Sequence, residues 1–314
     1  MPALTAQRSG PAVIAGLFAA GLVGPSGAHA PDGVGGSTTL SWTFEPWVMA
    51  CLAVTGLWYA LGAARLWRHA GAGRGLSRSQ CVSFTAGWVC VALALVSPLD
   101  ALGALLFSAH MVQHELLMVV AAPLLVLGRP LAVAVWALPA RWRRPVGRAF
   151  SAGPWHRFWH TVTTPLSAWS LHALMLWAWH IPSWFDAALR SGVVHGLQHA
   201  SFLAAALLLW WSALGPRSRH ARAVALMSLF TTMVHTAALG ALMTLSPLLW
   251  YEAYARTSNG LGVDPLTDQQ LGGLVMWVPA GAVYLVVALA IARLLLRDAS
   301  AVEDRAEVVV EPGR

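Results

Sequence analysis

The string His-x-x-Gln-His occurs twice in this chain, as His110-Met-Val-Gln-His114 and as His195-Gly-Leu-Gln-His199, 85 positions apart. Both copies lie inside long apolar runs. Histidines four apart on a helix share one face and stand about 6 Å apart along its axis, so each pair can ligate one ion. Polar side chains are costly inside a membrane span, and four imidazoles at one depth point to a bound metal rather than to packing. Neutral imidazole with thioether is a ligand set that favours copper. The metal ligands read from the sequence are therefore His110, His114, His195 and His199, with His235, His180, Met243 and Met111 as additional candidates. Gln113 and Gln198 are placed to orient the imidazoles from behind. Glu115 is the one carboxylate well inside an apolar run, suited to neutralising a cation or relaying a proton. Asp100 and Asp268 fall in loops at the expected mouth of the site, where they would guide a cation inward.

The elements that position these residues follow from composition. Of 314 residues, 57% are hydrophobic and only 11% charged, less than half the charged share of an ordinary soluble domain, which excludes a soluble globular protein. Seven apolar stretches, 46–66, 80–97, 105–128, 165–182, 193–214, 223–247 and 271–296, are each about long enough to cross a bilayer. Runs this long and continuous read as helices, because backbone groups in hydrocarbon must pair within their own segment. The expected architecture is an all-α, polytopic seven-helix bundle over 46–296. Residues 1–30 read as a signal peptide or N-terminal anchor ending Ala28-His29-Ala30, residues 31–45 as an outer segment, and residues 297–314 as a disordered cytoplasmic tail.

All 20 basic residues are arginine, and with the mature N-terminus outside, 17 of them fall on the inner side, against seven acids and two arginines outside. The expected orientation is N-terminus out and C-terminus in. The net charge of +7 is thus a topology signal, and no nucleic-acid partner is expected, since that would need the charge gathered on one soluble face. Cys51, Cys81 and Cys90 form no C-x-x-C pair and suggest neither disulfides nor zinc. The spans after each His-x-x-Gln-His also correspond, His172 and His180 in one and His235 and Met243 in the other, each eight apart, followed by Pro182 with Trp184 and by Pro247 with Trp250. This order of features predicts a parallel internal repeat of helix pairs.

At these residues the chain resembles the membrane-embedded CtaG family of bacterial cytochrome c oxidase assembly factors, associated with caa-type oxidases. The likeness covers about 45–296. It rests on Ser97-Pro-Leu-Asp100, Phe107 to His114 running on to Ala122-Pro-Leu-Leu-Val-Leu-Gly128, His195 to His199, and Asp268 to Trp277, while Glu115 stands where an apolar residue is expected. The resemblance implies a non-enzymatic factor of the bacterial inner membrane that takes copper, as Cu(I), on the outer side and delivers it to a cytochrome c oxidase subunit. A periplasmic copper donor and membrane lipid would be its other partners. Two other readings stay open: haem held between paired histidines for electron transfer, and a copper or proton transporter with His172, His235 and Glu115 as deeper stations.

Overall fold

The computed structural model describes residues 41–215 and 218–310, with side chains through Arg297. The expected signal segment, most of the outer segment, Pro216, Arg217 and residues 311–314 lie outside it. Among the described residues the chain is helical, with no strand.

Helix α1 is Pro46–Ala70 and α2 is Arg78–Val96, started by a reciprocal capping box between Ser77 and Gln80. A short α3, Pro98–Gly103, leads into α4, Phe107–Leu127. Then come α5 Pro130–Ala137, α6 Ala140–Ser151, α7 Gly153–Val162, α8 Pro165–Trp179 and α9 Pro182–Arg190. The chain continues as α10 Gly192–Leu214, α11 Arg219–Leu245, α12 Ala255–Gly260 and α13 Pro265–Val310. Among the described residues six helices are long and apolar enough to cross a membrane: α1, α2, α4, α10, α11 and the Pro265–Arg297 part of α13. The apolar stretch 165–182, expected as a seventh, is a helix of only 15 residues. Pro182 explains the difference, because it disfavours helical backbone at the preceding residue and cannot continue the helix itself, so a new one starts there. At the other extreme, the stretch expected to be a disordered tail continues α13 to Val310. Its Ala, Glu, Val and Arg residues contain no helix breaker before Pro312.

Helix α4 is the axis of the bundle and packs on α2, α10 and α13. Its middle turn, Leu116–Ala121, widens to a π-helical turn just before Pro123, whose ring cannot supply the N–H of a regular ladder. The fully buried Trp210 of α10 donates its indole N–H to the Met118 carbonyl at 2.8 Å, which ties α10 to this turn. Below it, α5 folds back against α1, with Tyr59 donating to Gly128 O at 2.9 Å and Arg65 to Ala137 O. A close crossing joins α11 and α13, where a Cβ on Gly273 would stand 2.6 Å from both Gly240 O and Thr244 Oγ1. Gly273→Ala must push these helices apart. It is expected to cost about 1–3 kcal/mol, only partly offset by a helix-propensity gain of about 1 kcal/mol. A lowered thermal midpoint of the detergent-solubilised protein checks this, and an unchanged midpoint would refute the close approach.

The loops at one end of the bundle are stitched together. Thr43 N donates to Val96 O at 2.9 Å, Tyr254 Oη to Gly103 O at 2.8 Å, and Tyr251 Oη to His180 O at 2.9 Å. This acidic end carries Glu45, Asp100 and Asp268; the opposite end carries Arg65, Arg68 and Arg143.

Candidate metal centre

The site starts with the end of α4. A helix start leaves backbone N–H groups without partners, and here Asp268 of α13 supplies them. Its carboxylate accepts from Phe107 N at 2.7 Å, Ser108 N at 3.1 Å, Ser108 Oγ at 2.5 Å and Ser258 Oγ at 3.2 Å. Asp268 is only 1% exposed. Expected from the sequence in a loop at the mouth of the site, Asp268 instead lies in the first turn of α13 as a buried cap, set one turn before His110.

Helices α4 and α10 lie side by side, as the paired histidine strings require. Gly196 lets Trp47 of α1 lie against α10, since a Cβ there would stand 3.2 Å from its ring. The histidine ring centroids are 5.2 Å apart for His110 and His195, 5.7 Å for His110 and His199, and 4.2 Å for His195 and His199. One ring nitrogen from each of these three lies within 4.8 Å of the others. Metal–imidazole bonds of about 2.0 Å place such nitrogens about 3.5 Å apart, so small ring rotations bring the triad onto one ion. His114 packs against the same group, 4.4 Å from His110 and 5.2 Å from His199, but it is not part of the converging triad. Its ring rests on Phe202 at 4.6 Å.

The partners behind the rings fix which nitrogen faces inward. The Tyr254 hydroxyl spends its proton on Gly103 O, so at 3.3 Å from His110 Nδ1 it accepts a hydrogen bond from that nitrogen. His110 Nε2, which has no protein partner, keeps its lone pair for a ligand. Burial and the neighbouring Asp268 carboxylate hold the Tyr254 pKa well above its ordinary value, so the hydroxyl stays protonated. His180 is set the same way: Nδ1 donates to Leu176 O at 2.7 Å, leaving Nε2 as acceptor beside His114, whose ring is 6.3 Å away. Tyr254→Phe is expected to weaken metal binding by about tenfold, the lower range for loss of an orienting partner. A competition titration checks it; unchanged affinity would show that Tyr254 does not orient the ligand.

Other expected residues lie elsewhere. Gln113 orients no imidazole: it donates to Ala94 O at 2.8 Å and to Asp100 at 3.0 Å. Gln198 lies beside His110, though neither of its amide atoms has a hydrogen bond of good geometry. Met111, about 100° round the helix from His110, packs toward Gly272 of α13 instead of the triad. The Met243 sulfur lies 3.8 Å from Tyr251 Oη, whose proton goes to His180 O. Glu115 lies on the α13 side, near Tyr284. His235 pairs with His172, at 5.8 Å, and no ring contact joins it to the triad.

Along the α1, α2 and α10 side of the centre runs a groove of about 190 Å³, with Glu45, Asp100, His195 and His199 in its lining and Trp88 and Tyr59 farther along. Asp100, also hydrogen-bonded to Thr43 and Gln113, lines this groove. Tyr254, beside His110, and Tyr251, on the His180 carbonyl, are the main residues that sequence reasoning did not single out.

A profile of the cytochrome c oxidase caa3 assembly factor (Caa3_CtaG) matches residues 57–298. Uncharacterized proteins of Mycobacterium bovis and Mycobacterium tuberculosis are each 27% identical over 243 residues, covering 75% of this chain and 36% of theirs. A Mycobacterium leprae counterpart is 27% identical over 250 residues with the same shares. The chain thus spans 36% of the length of these curated relatives. No solved structure gives a significant match.

Proposed function

The chain belongs to the Caa3_CtaG family of cytochrome c oxidase caa3 assembly factors, and from that premise we propose that it holds Cu(I) on the His110, His195 and His199 triad and passes it to an oxidase subunit. The observation that carries this reading is the convergence of three imidazole nitrogens within 4.8 Å of one another. Imidazole is a good ligand for copper, and three neutral ligands without a carboxylate suit a singly charged ion. The protein works without catalysis, by ligand exchange. A bacterial inner-membrane setting, multi-pass, puts the acidic end outward, with the N-terminus outside and the C-terminus inside. Helix α8 then serves as a short seventh crossing, and the two His-x-x-Gln-His helix pairs form a parallel repeat.

The groove lined by His195 and His199 supplies the route. Glu45 and Asp100 draw the ion from a periplasmic donor, and the same opening admits the recipient's ligands. The haem alternative fits less well. A porphyrin between His114 and His199 needs a flat slot, but these rings lie edge to face 5.2 Å apart, with His110 at 4.4 Å and Phe202 at 4.6 Å from His114.

Oxidase purified from cells lacking this protein is expected to keep its haem and lose copper. Returning the wild-type chain restores the copper; returning a His110→Ala, His195→Ala, His199→Ala variant does not. Copper-replete oxidase in cells carrying the variant would overturn the proposal.

A further inference from the structure

We propose that His172 of α8 and His235 of α11 form a second Cu(I) site, two-coordinate and separate from the triad. It rests on the reading above only for the choice of metal. The two rings are neighbours, with centroids 5.8 Å apart and planes inclined at 59°. Neither nitrogen of either ring has a hydrogen-bond partner, and His172 is 1% exposed. Buried polar groups are nearly always paired, so orphaned nitrogens on two adjacent rings call for a shared ligand, which would take one from each ring. Two metal–imidazole bonds of about 2.0 Å, set in line and added to two ring radii, give a centroid separation of roughly 6.3 Å, so a small outward movement of the rings from their 5.8 Å spacing admits the ion.

The surroundings choose the ion. Trp169 forms one wall, its ring 5.7 Å from His235, and Thr236 lies beside it on α11 with an unpartnered hydroxyl. No carboxylate or thiol joins the pair in any metal-binding group among the described residues. Zinc would want four ligands. A soft, singly charged ion content with two neutral nitrogens fits, which is Cu(I). The placement also follows the correspondence between the two helix pairs: His110 matches His195, His114 matches His199, and His172 matches His235, with ring separations of 5.2, 5.2 and 5.8 Å. His172 lies eight residues from His180, about 12 Å along α8, so the second site is deeper in the bundle than the triad and can hold an ion behind it.

Anaerobic titration of the purified full-length protein with Cu(I) against a competing chelator tests this. The wild type is expected to take about two equivalents. The triad triple-alanine variant should keep about one, and its copper X-ray absorption edge should carry the strong feature of linear two-coordination. His172→Gln with His235→Gln should leave about one equivalent, on the triad. If the triad reading alone is wrong, the wild type takes about one equivalent and the glutamine pair removes it. The second site is overturned if the triad variant binds none, if its copper is not two-coordinate, or if the monodisperse glutamine variant keeps everything the wild type binds. Should the glutamine variant fail to fold, the absorption edge of the triad variant decides.

Discussion

Replacing His110, His195 and His199 together by alanine is expected to weaken Cu(I) binding at the acidic end on the order of a thousandfold or more, since losing one orienting partner alone costs 10–100-fold. The fold should survive. Each truncation opens a cavity, but at His110 and His199 it also removes a buried ring nitrogen, Nε2, that has no protein partner, and leaving such a group unsatisfied costs about 1–3 kcal/mol. A competition titration on protein that remains monodisperse by size exclusion reads the result. His114→Ala is the informative contrast. His114 touches the cluster but does not converge with it, so its loss should change affinity less than any single triad substitution. A His114→Ala effect equal to that of His199→Ala would restore the four-ligand reading made from the sequence.

Asp268→Ala carries the largest expected loss of stability. Four donors end on this carboxylate, two of them backbone N–H groups at the start of α4, and Phe107 beside it is 1% exposed. Removing the acceptor strands those N–H groups away from water, at about 3–5 kcal/mol in total. The first turn of α4 then frays, and His110 sits in it, so metal affinity should fall as well. Asp268→Asn keeps an acceptor oxygen and should lose less of both. The midpoint of denaturant unfolding in detergent, measured beside the titration, checks the two effects. A variant as stable as wild type would show that the cap is not what orders the site.

The pairing of α4 with α10 was legible because the His-x-x-Gln-His repeat constrains it: two helices entering in the same sense place matched residues at matched depth. The rings of His110 and His195, and of His114 and His199, are each 5.2 Å apart. The length of α8 was less accessible, since hydropathy saw the apolar run and gave Pro182 too little weight. Met111 was within reach of simple geometry, because a neighbour in sequence is rotated by about 100° and so faces α13. What could not be read locally were contacts spanning the chain. Asp268 and Phe107 are 161 residues apart, and Tyr254 and His110 are 144 apart, so the cap and the orienting hydroxyl exist only once the bundle has closed. Gln113 shows the same limit, being drawn to Asp100 and the Ala94 carbonyl by the packing of α3 against α4.

Whether the triad holds copper is read from the metal content and optical spectrum of the full-length protein purified in mild detergent from copper-replete cells. Copper is expected, lost from the acidic-end site when His110, His195 and His199 are replaced, with no Soret band. A Soret band, or copper content unchanged in the triple variant, would rule copper on the triad out.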